Sequence, residues 1–155
     1  MPAELLAEVL ALFGLTESDL NESIPPACIH GGADHLALCL NSRATLAAMQ
    51  YELEAGRNLM NREGLITILL AWAETPNRFH TRNPFASGGV YEDPATGAAT
   101  AAFAGYLRDL EWPHQGTIEI IQGEDMGMRS RLTADIPPTP GSSIRVSGKA
   151  RIITD

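Results

Sequence analysis

Cysteine is nearly absent from this 155-residue chain: Cys28 and Cys39 are the only two, and they form no C-x-x-C pair. Both are flanked by apolar residues, so free buried thiols are the expected state, and spacing alone leaves a disulfide open. Basic residues are also scarce. Lys and Arg number 11 against 19 Asp and Glu, a net charge of −8. Such a balance favours solubility and argues against nonspecific nucleic-acid binding, and there is neither a run of Lys or Arg nor an RNA-binding aromatic signature. Long hydrophobic runs are missing too. The longest, Leu65 to Ala73, falls well short of the ~20 residues needed to span a bilayer. Met1 to Leu10 lacks the basic stretch and cleavage site of a signal peptide. A cytoplasmic protein with no nucleic-acid and no membrane partner is the resulting expectation, and it makes the sequon Asn21-Glu22-Ser23 accidental. His30 and His35 bracket Gly31-Gly32, but about four placed ligands make a zinc site, so no metal is expected. His80 and His114 read as surface or loop residues. The G-x-S-x-G order is absent around Ser87-Gly88-Gly89, which excludes a nucleophile elbow there.

What remains is 45% hydrophobic and suits one globular domain over residues 1–155 with a core that needs no staples. Leu5, Leu6, Val9, Leu10 and Phe13 recur at helical spacing after Pro2, and Gly14 is placed to stop the helix. Thr16 to Leu20 reads as a capped turn, and Pro25-Pro26 forces extended chain. Leu36, Leu38 and Leu40 alternate with His35, Ala37 and Cys39, which predicts a strand with one face on the core. Ser42 is a plausible N-cap for one helix carrying Leu46, Met49, Leu53 and Met60 and ending at Gly64. Leu65 to Trp72 is apolar on both parities, the pattern of a strand buried on both faces. Arg78 to Phe85 is a further extended segment.

Pro94 to Leu110 is helical, rich in alanine and charged only at Arg108 and Asp109. A helix apolar nearly all round is a buried one, so something must wrap it. The rest reads as strands: Ile118 with Ile120, then Leu132, Ala134 and Ile136. In the last, Ile144, Val146, Ala150 and Ile152 alternate against Arg145, Ser147, Lys149 and Arg151, a basic solvated face. Pro137 to Gly141 is a turn. Met126 and Met128 read as packing residues. The fold class is α+β, a curved mixed sheet enclosing one alanine-rich helix.

The informative stretch runs from Arg82 to Ala99. Paired glycines lead into the start of the buried helix. Asp93-Pro94 has the form of an N-cap followed by proline at the first helical position, and Thr96-Gly97 offers a second place to enter the helix. Free first-turn amides beside a residue without a Cβ suit a carboxylate, and an acidic side chain poised there could move a proton. Taken alone, the spacing also fits an Asp93 that merely caps the helix.

Glu92-Asp93-Pro94-Ala95-Thr96-Gly97-Ala98-Ala99 resembles the E-D-P-x-T-G-[SA]-A signature of the phenazine-biosynthesis PhzF-like family, within the diaminopimelate epimerase superfamily. Arg82-Asn83-Pro84-Phe85 and Gly88-Gly89-Val90 resemble the arginine–phenylalanine and glycine context before it. Gln122-Gly123, Met126-Gly127 and Ser130 resemble its Q-G-x-x-M-G-R-P segment, and Val146-Ser147-Gly148 with Ala150 its V-x-G-x-A strand. Leu5 to Leu40 is similar to the opening of the family's second domain, so the resemblance covers essentially the whole chain and matches a carboxy-terminal half.

The resemblance implies a diaminopimelate epimerase-like half, two of which enclose a cleft, with the substrate's acid group near the helix starts. It implies an isomerase or epimerase that moves a proton on a small carboxylic acid, such as dihydro-3-hydroxyanthranilate, without metal or organic cofactor. Asp93 matches the motif aspartate, and Thr96, Gly97 and Ala98 stand at the substrate-facing helix start, with Ala98 replacing a serine. The principal acid/base of the family is a glutamate of the first half, which this chain is expected to lack. A homodimer or a complementary chain bearing the amino-terminal domain is the expected partner. Arg129 lies one position away from the family's arginine, which in a strand would turn it to the other face. The alternative reading is a non-catalytic domain that binds a small acid or serves assembly.

Overall fold

The computed structural model of the chain describes residues 1–150. Leu5, Val9, Leu10 and Phe13 form the buried side of helix α1 (Ala3–Phe13), and Gly14, at φ 63°, closes it with a left-handed turn. A single turn, Glu17–Asp19, follows, tied at its start by the Thr16 amide on Asp19 Oδ2 at 2.8 Å. The strands are β1 (Ala27–His30), β2 (Asp34–Leu40), β3 (Thr67–Thr75), β4 (Arg78–Phe85), β5 (Val90–Asp93), β6 (Thr117–Gln122), β7 (Ser130–Asp135) and β8 (Arg145–Gly148). They form one sheet in the order β1-β2-β3-β4-β6-β7-β8, with β5 paired to β4 off that path.

Two neighbouring pairs are parallel, β2 with β3 and β4 with β6. Parallel neighbours need crossovers. Helices α2 (Arg43–Ala47) and α3 (Leu53–Glu63) supply the first; β5 and helix α4 (Gly97–Asp109) supply the second. Because β3 and β4 are antiparallel, the two crossovers start from strands of opposite direction while stepping the same way along the sheet. Crossovers of one hand must then leave from opposite faces, and they do. Leu36, Leu38, Leu40, Ile68 and Leu70 pack with α1, α2 and α3 on one face. Ala37, Cys39, Leu69, Ala71 and Phe79 pack with α4 on the other. Helix α4 touches β1 and β2 along one side and β7 and β8 along the other, so the sheet curls around it. Phe79 and Phe103 meet edge to face, with centroids 5.2 Å apart, at the centre of that contact. The wrapped, alanine-rich helix is therefore present as expected.

Several expectations are corrected. Strand β2 is buried on both faces rather than one, because the outer helices cover the leucines while α4 covers Ala37 and Cys39. The single helix expected after Ser42 is two. Ser42 does cap α2, accepting from the amides of Ala44 and Thr45, but Glu52 caps a separate α3 by accepting from those of Glu54 and Ala55. Cys28 is exposed on β1, and only Cys39 is buried. Met128 is 57% exposed rather than packed. His80 is a strand residue rather than a loop one, lying between Glu74 and Glu124 at 3.0 and 3.2 Å, while His35 sits on β2 as expected, buried with Nδ1 2.8 Å from Thr67 Oγ1. Arg145 and Lys149 are exposed as the basic face requires, while Arg151 and Ile152 of that expected strand lie outside the described residues.

Candidate functional site

The start of α4 is set by three side chains, those of Asp93, Thr96 and Gln122. Asp93 ends β5, where it is the register partner of Asn83 in β4. It is therefore not the helix cap that Asp93-Pro94 suggested, and Pro94 is not the first helical residue. The chain turns once more, Thr96 becomes the residue before the helix, and Gly97 opens it. Cross-strand pairing with β4 holds Asp93 in extended backbone, and that outweighs a local capping preference.

Thr96 does not cap α4 through its side chain. Its hydroxyl instead donates to Asp93 Oδ2 at 2.6 Å. Gln122, wholly buried at the end of β6, completes the arrangement. Its Oε1 accepts from the Thr96 amide at 3.1 Å, and its Nε2 donates to the Asp93 carbonyl at 2.6 Å and to Thr96 Oγ1 at 2.9 Å. One amide side chain thus locks the strand end, the connecting turn and the helix entry together. Gly123 follows at φ 73°, and a Cβ there would stand 2.5 Å from the Met128 carbonyl oxygen and 3.0 Å from that of Pro94, so the turn after β6 needs glycine.

The helix entry is left open. Beyond its own neighbours and helix turn, a Cβ on Gly97 would meet none of the described residues within 4 Å, and Ala98 is exposed. First-turn amides without a capping side chain carry partial positive charge toward that opening. Asp93 is half-buried beside it. The arrangement places an acidic group and an anion-accepting helix start side by side. On the opposite flank, Gly31 of the β1–β2 turn presses on the same helix: a Cβ there would lie 2.7 Å from the Ala98 carbonyl oxygen.

Strand alternation sends Glu92 to the other side of β5 from Asp93. Glu92 is buried against Arg82, with Nη2 2.6 Å from Oε2 and Nε 3.1 Å from Oε1. Arg82 Nη1 also donates to the carbonyls of Ala47 and Met49 at 3.0 and 3.1 Å. Burial works against the charge on Arg82, but its hydrogen bonds and attraction to Glu92 outweigh that and hold its pKa above the ordinary arginine value. In the sequence alone, Arg82, Glu92 and Gln122 stand out only as parts of motifs, with none of these roles. The available signal was a strand-bound arginine ten positions before a glutamate. Arg129 lies just before β7 rather than in it, half exposed, with Nε 3.2 Å from Glu124 Oε1. Among the described residues no group of three or more His, Cys, Asp or Glu is placed to hold a metal ion, and no helix is long and apolar enough to cross a membrane.

Comparison with known proteins places the chain in a family. The model of phenazine biosynthesis-like proteins, PhzC-PhzF, matches residues 3–155. An uncharacterised isomerase of Mesorhizobium japonicum is 38% identical over 81 residues, which is 50% of this chain and 27% of that protein. The trans-2,3-dihydro-3-hydroxyanthranilate isomerase of Pseudomonas aeruginosa is 33% identical over 129 residues, 83% of this chain and 43% of the enzyme. The solved structure of a predicted epimerase from Pseudomonas aeruginosa superposes with a TM-score of 0.71 at 21% identity, covering 100% of this chain and 54% of its own, a likeness of fold. The chain spans no more than about half the length of the curated relatives it matches.

Proposed function

The chain belongs to the phenazine biosynthesis-like family, PhzC-PhzF, and on that premise we propose that it forms one wall of the active site of a proton-transfer isomerase acting on a small carboxylic acid. The observation that carries this reading is the pairing of Asp93 with an uncapped helix entry at Thr96, Gly97 and Ala98. The substrate carboxylate docks on the first-turn amides, where the helix dipole and the absence of a Cβ at Gly97 favour it. Asp93, oriented by the Thr96 hydroxyl, faces the reacting carbon region as an acid/base or orienting carboxylate. Moving a proton between carbons requires a group within about 2.6–3.2 Å of it and a cleft shut against water. The second wall, with its own acid/base, comes from a complementary amino-terminal half or from a second copy of this chain. Exposed Val90, Tyr91 and Met128 near the site supply apolar surface for that wall to cover. Dihydro-3-hydroxyanthranilate is the first substrate to try, because an isomerase of its trans-2,3-dihydro form is among the relatives.

The test is deuterium uptake from heavy water into dihydro-3-hydroxyanthranilate and related small acids, with the chain alone and with a co-expressed amino-terminal half. Exchange that requires both halves, and that Asp93→Asn abolishes, is the expected result. Exchange unaffected by Asp93→Asn removes the proposed role of Asp93. Acid binding at the helix entry without exchange in any combination makes this a non-catalytic acid-binding domain.

A further inference from the structure

Two consecutive acids, Glu92 and Asp93, point to opposite sides of β5 and have unlike surroundings. Asp93 is half-buried at the helix entry, whereas Glu92 is sealed in, its side chain 2% exposed against an Arg82 side chain 9% exposed. The connection between α2 and α3 lies behind this pair. It contributes the Ala47 and Met49 carbonyls to Arg82. It also contributes Tyr51, which is bound reciprocally to Tyr91: the Tyr51 amide donates to the Tyr91 hydroxyl at 2.9 Å, and the Tyr51 hydroxyl donates to the Tyr91 carbonyl. Their rings stack with centroids 4.4 Å apart. Burial, together with Tyr91 and Glu92 nearby, pushes the Tyr51 phenol well above the ordinary tyrosine range, so it stays a donor. Two successive residues of β5 are thus held by this segment, Tyr91 directly and Glu92 through Arg82.

We propose that Arg82 and Glu92, with the Ala47–Tyr51 connection, are a positioning brace for the neighbouring Asp93. The inference rests on the proposed role of Asp93. A four-residue strand paired on one side only has little stiffness of its own. Its last residue must nevertheless hold one carboxylate oxygen on Thr96 while the adjacent helix entry stays open. The bidentate guanidinium contact fixes both distance and angle of the preceding residue, and one peptide further on that becomes the aim of Asp93. Misplacement of a reacting group by about 1 Å is enough to cost on the order of 100-fold in rate.

The experiment compares wild type, Arg82→Lys, Glu92→Gln and the apolar pair Arg82→Met/Glu92→Met, the last chosen because such replacements of buried ion pairs often keep the fold. Turnover with the complementary half is measured alongside amide NMR spectra of the full chain. The expected result is a fall in kcat of roughly ten- to 100-fold for the apolar pair with KM little changed, partial recovery in Arg82→Lys, and broadened or shifted Thr96, Gly97 and Ala98 amides while α1 and α3 keep their spectra. A folded apolar-pair variant with wild-type kcat, or with unaltered amides at 96–98, overturns the brace. The amide readout needs no turnover, so an inactive wild type sinks the proposed isomerase function while the brace is still decided.

Discussion

Replacing Gly97 by alanine separates stability from ligand binding at one atom. Gly97 is the first residue of α4, its backbone is not left-handed, and beyond its own neighbours and helix turn a Cβ there meets none of the described residues within 4 Å. Folding should therefore gain. Alanine is better than glycine by about 0.8–1.0 kcal/mol in a helix interior, and compatible glycine-to-alanine changes give about 0.4–1 kcal/mol. At the first helical position the lower end applies, about 0.5 kcal/mol. For a chain of this size that raises Tm by roughly 1–2 °C. Anion binding should lose. Cα–Cβ bonds tilt toward the helix N-terminus, so the added methyl projects into the space where a carboxylate must approach the amides. A displacement costing about 1.4 kcal/mol weakens affinity tenfold. Thermal unfolding by circular dichroism and titration of acetate or inorganic phosphate, followed on the Thr96, Gly97 and Ala98 amides, measure the two effects separately. A lowered Tm refutes the open geometry at Gly97. A raised Tm with undiminished anion affinity refutes the helix entry as the acid site.

Gly31→Ala should do the reverse in stability: its Cβ meets backbone at Ala98, 2.7 Å away, and the Ala102 Cβ at 3.1 Å, so overpacking of about 1–3 kcal/mol is expected in denaturant unfolding. Gln122→Leu strands the buried Thr96 amide and should cost about 1–3 kcal/mol, read by the same titration, with loss of anion binding because the helix entry loses its anchor. His35 has its pKa lowered, chiefly by burial, with His30 adding to this and Asp34 opposing it. A folded-state value below the unfolded one means that the unfolded chain takes up the proton first, so stability is full above the ordinary 6.5 and declines as pH falls through it. His35→Gln should flatten that part of the unfolding-versus-pH curve. Burial pushes the Cys39 thiol up to about 12 while Cys28 is exposed, so a thiol reagent at neutral pH should modify Cys28 in the native chain and Cys39 only after unfolding.

The elements legible from sequence were those whose pattern and pairing agree. Strand β4 spans the Arg78–Phe85 expected of it, β3 shows apolar residues on both parities because helices cover both faces, and α4 is wrapped because its alanines leave it no polar side. The misses share one cause, which is that distant residues decide the outcome. Met49 to Glu52 holds no glycine or proline, yet the helix breaks there while Arg82 reaches over from β4 to bond Met49 and Ala47. Val90–Asp93 reads as loop because glycines precede it and proline follows, but its backbone pairs with Asn83 to Phe85. Asp93 and the Thr96-Gly97 entry were visible as a motif. That Gln122 binds them together from 26 residues away could not be seen in one dimension.

Among the described residues the sheet has two unclosed sides, and both are blunt. Strand β1 is four residues long and follows Pro25-Pro26; β8 is four residues long and opens with exposed Arg145, which lies 3.8 Å from Asp135. Short rims bearing proline and charge are poor templates for adding another strand. A curled sheet with long bare rims would pair with copies of itself in register and grow without limit. Here such growth has little to hold at either rim. Without long flat edges the curled sheet lacks the template from which strand-by-strand fibres grow.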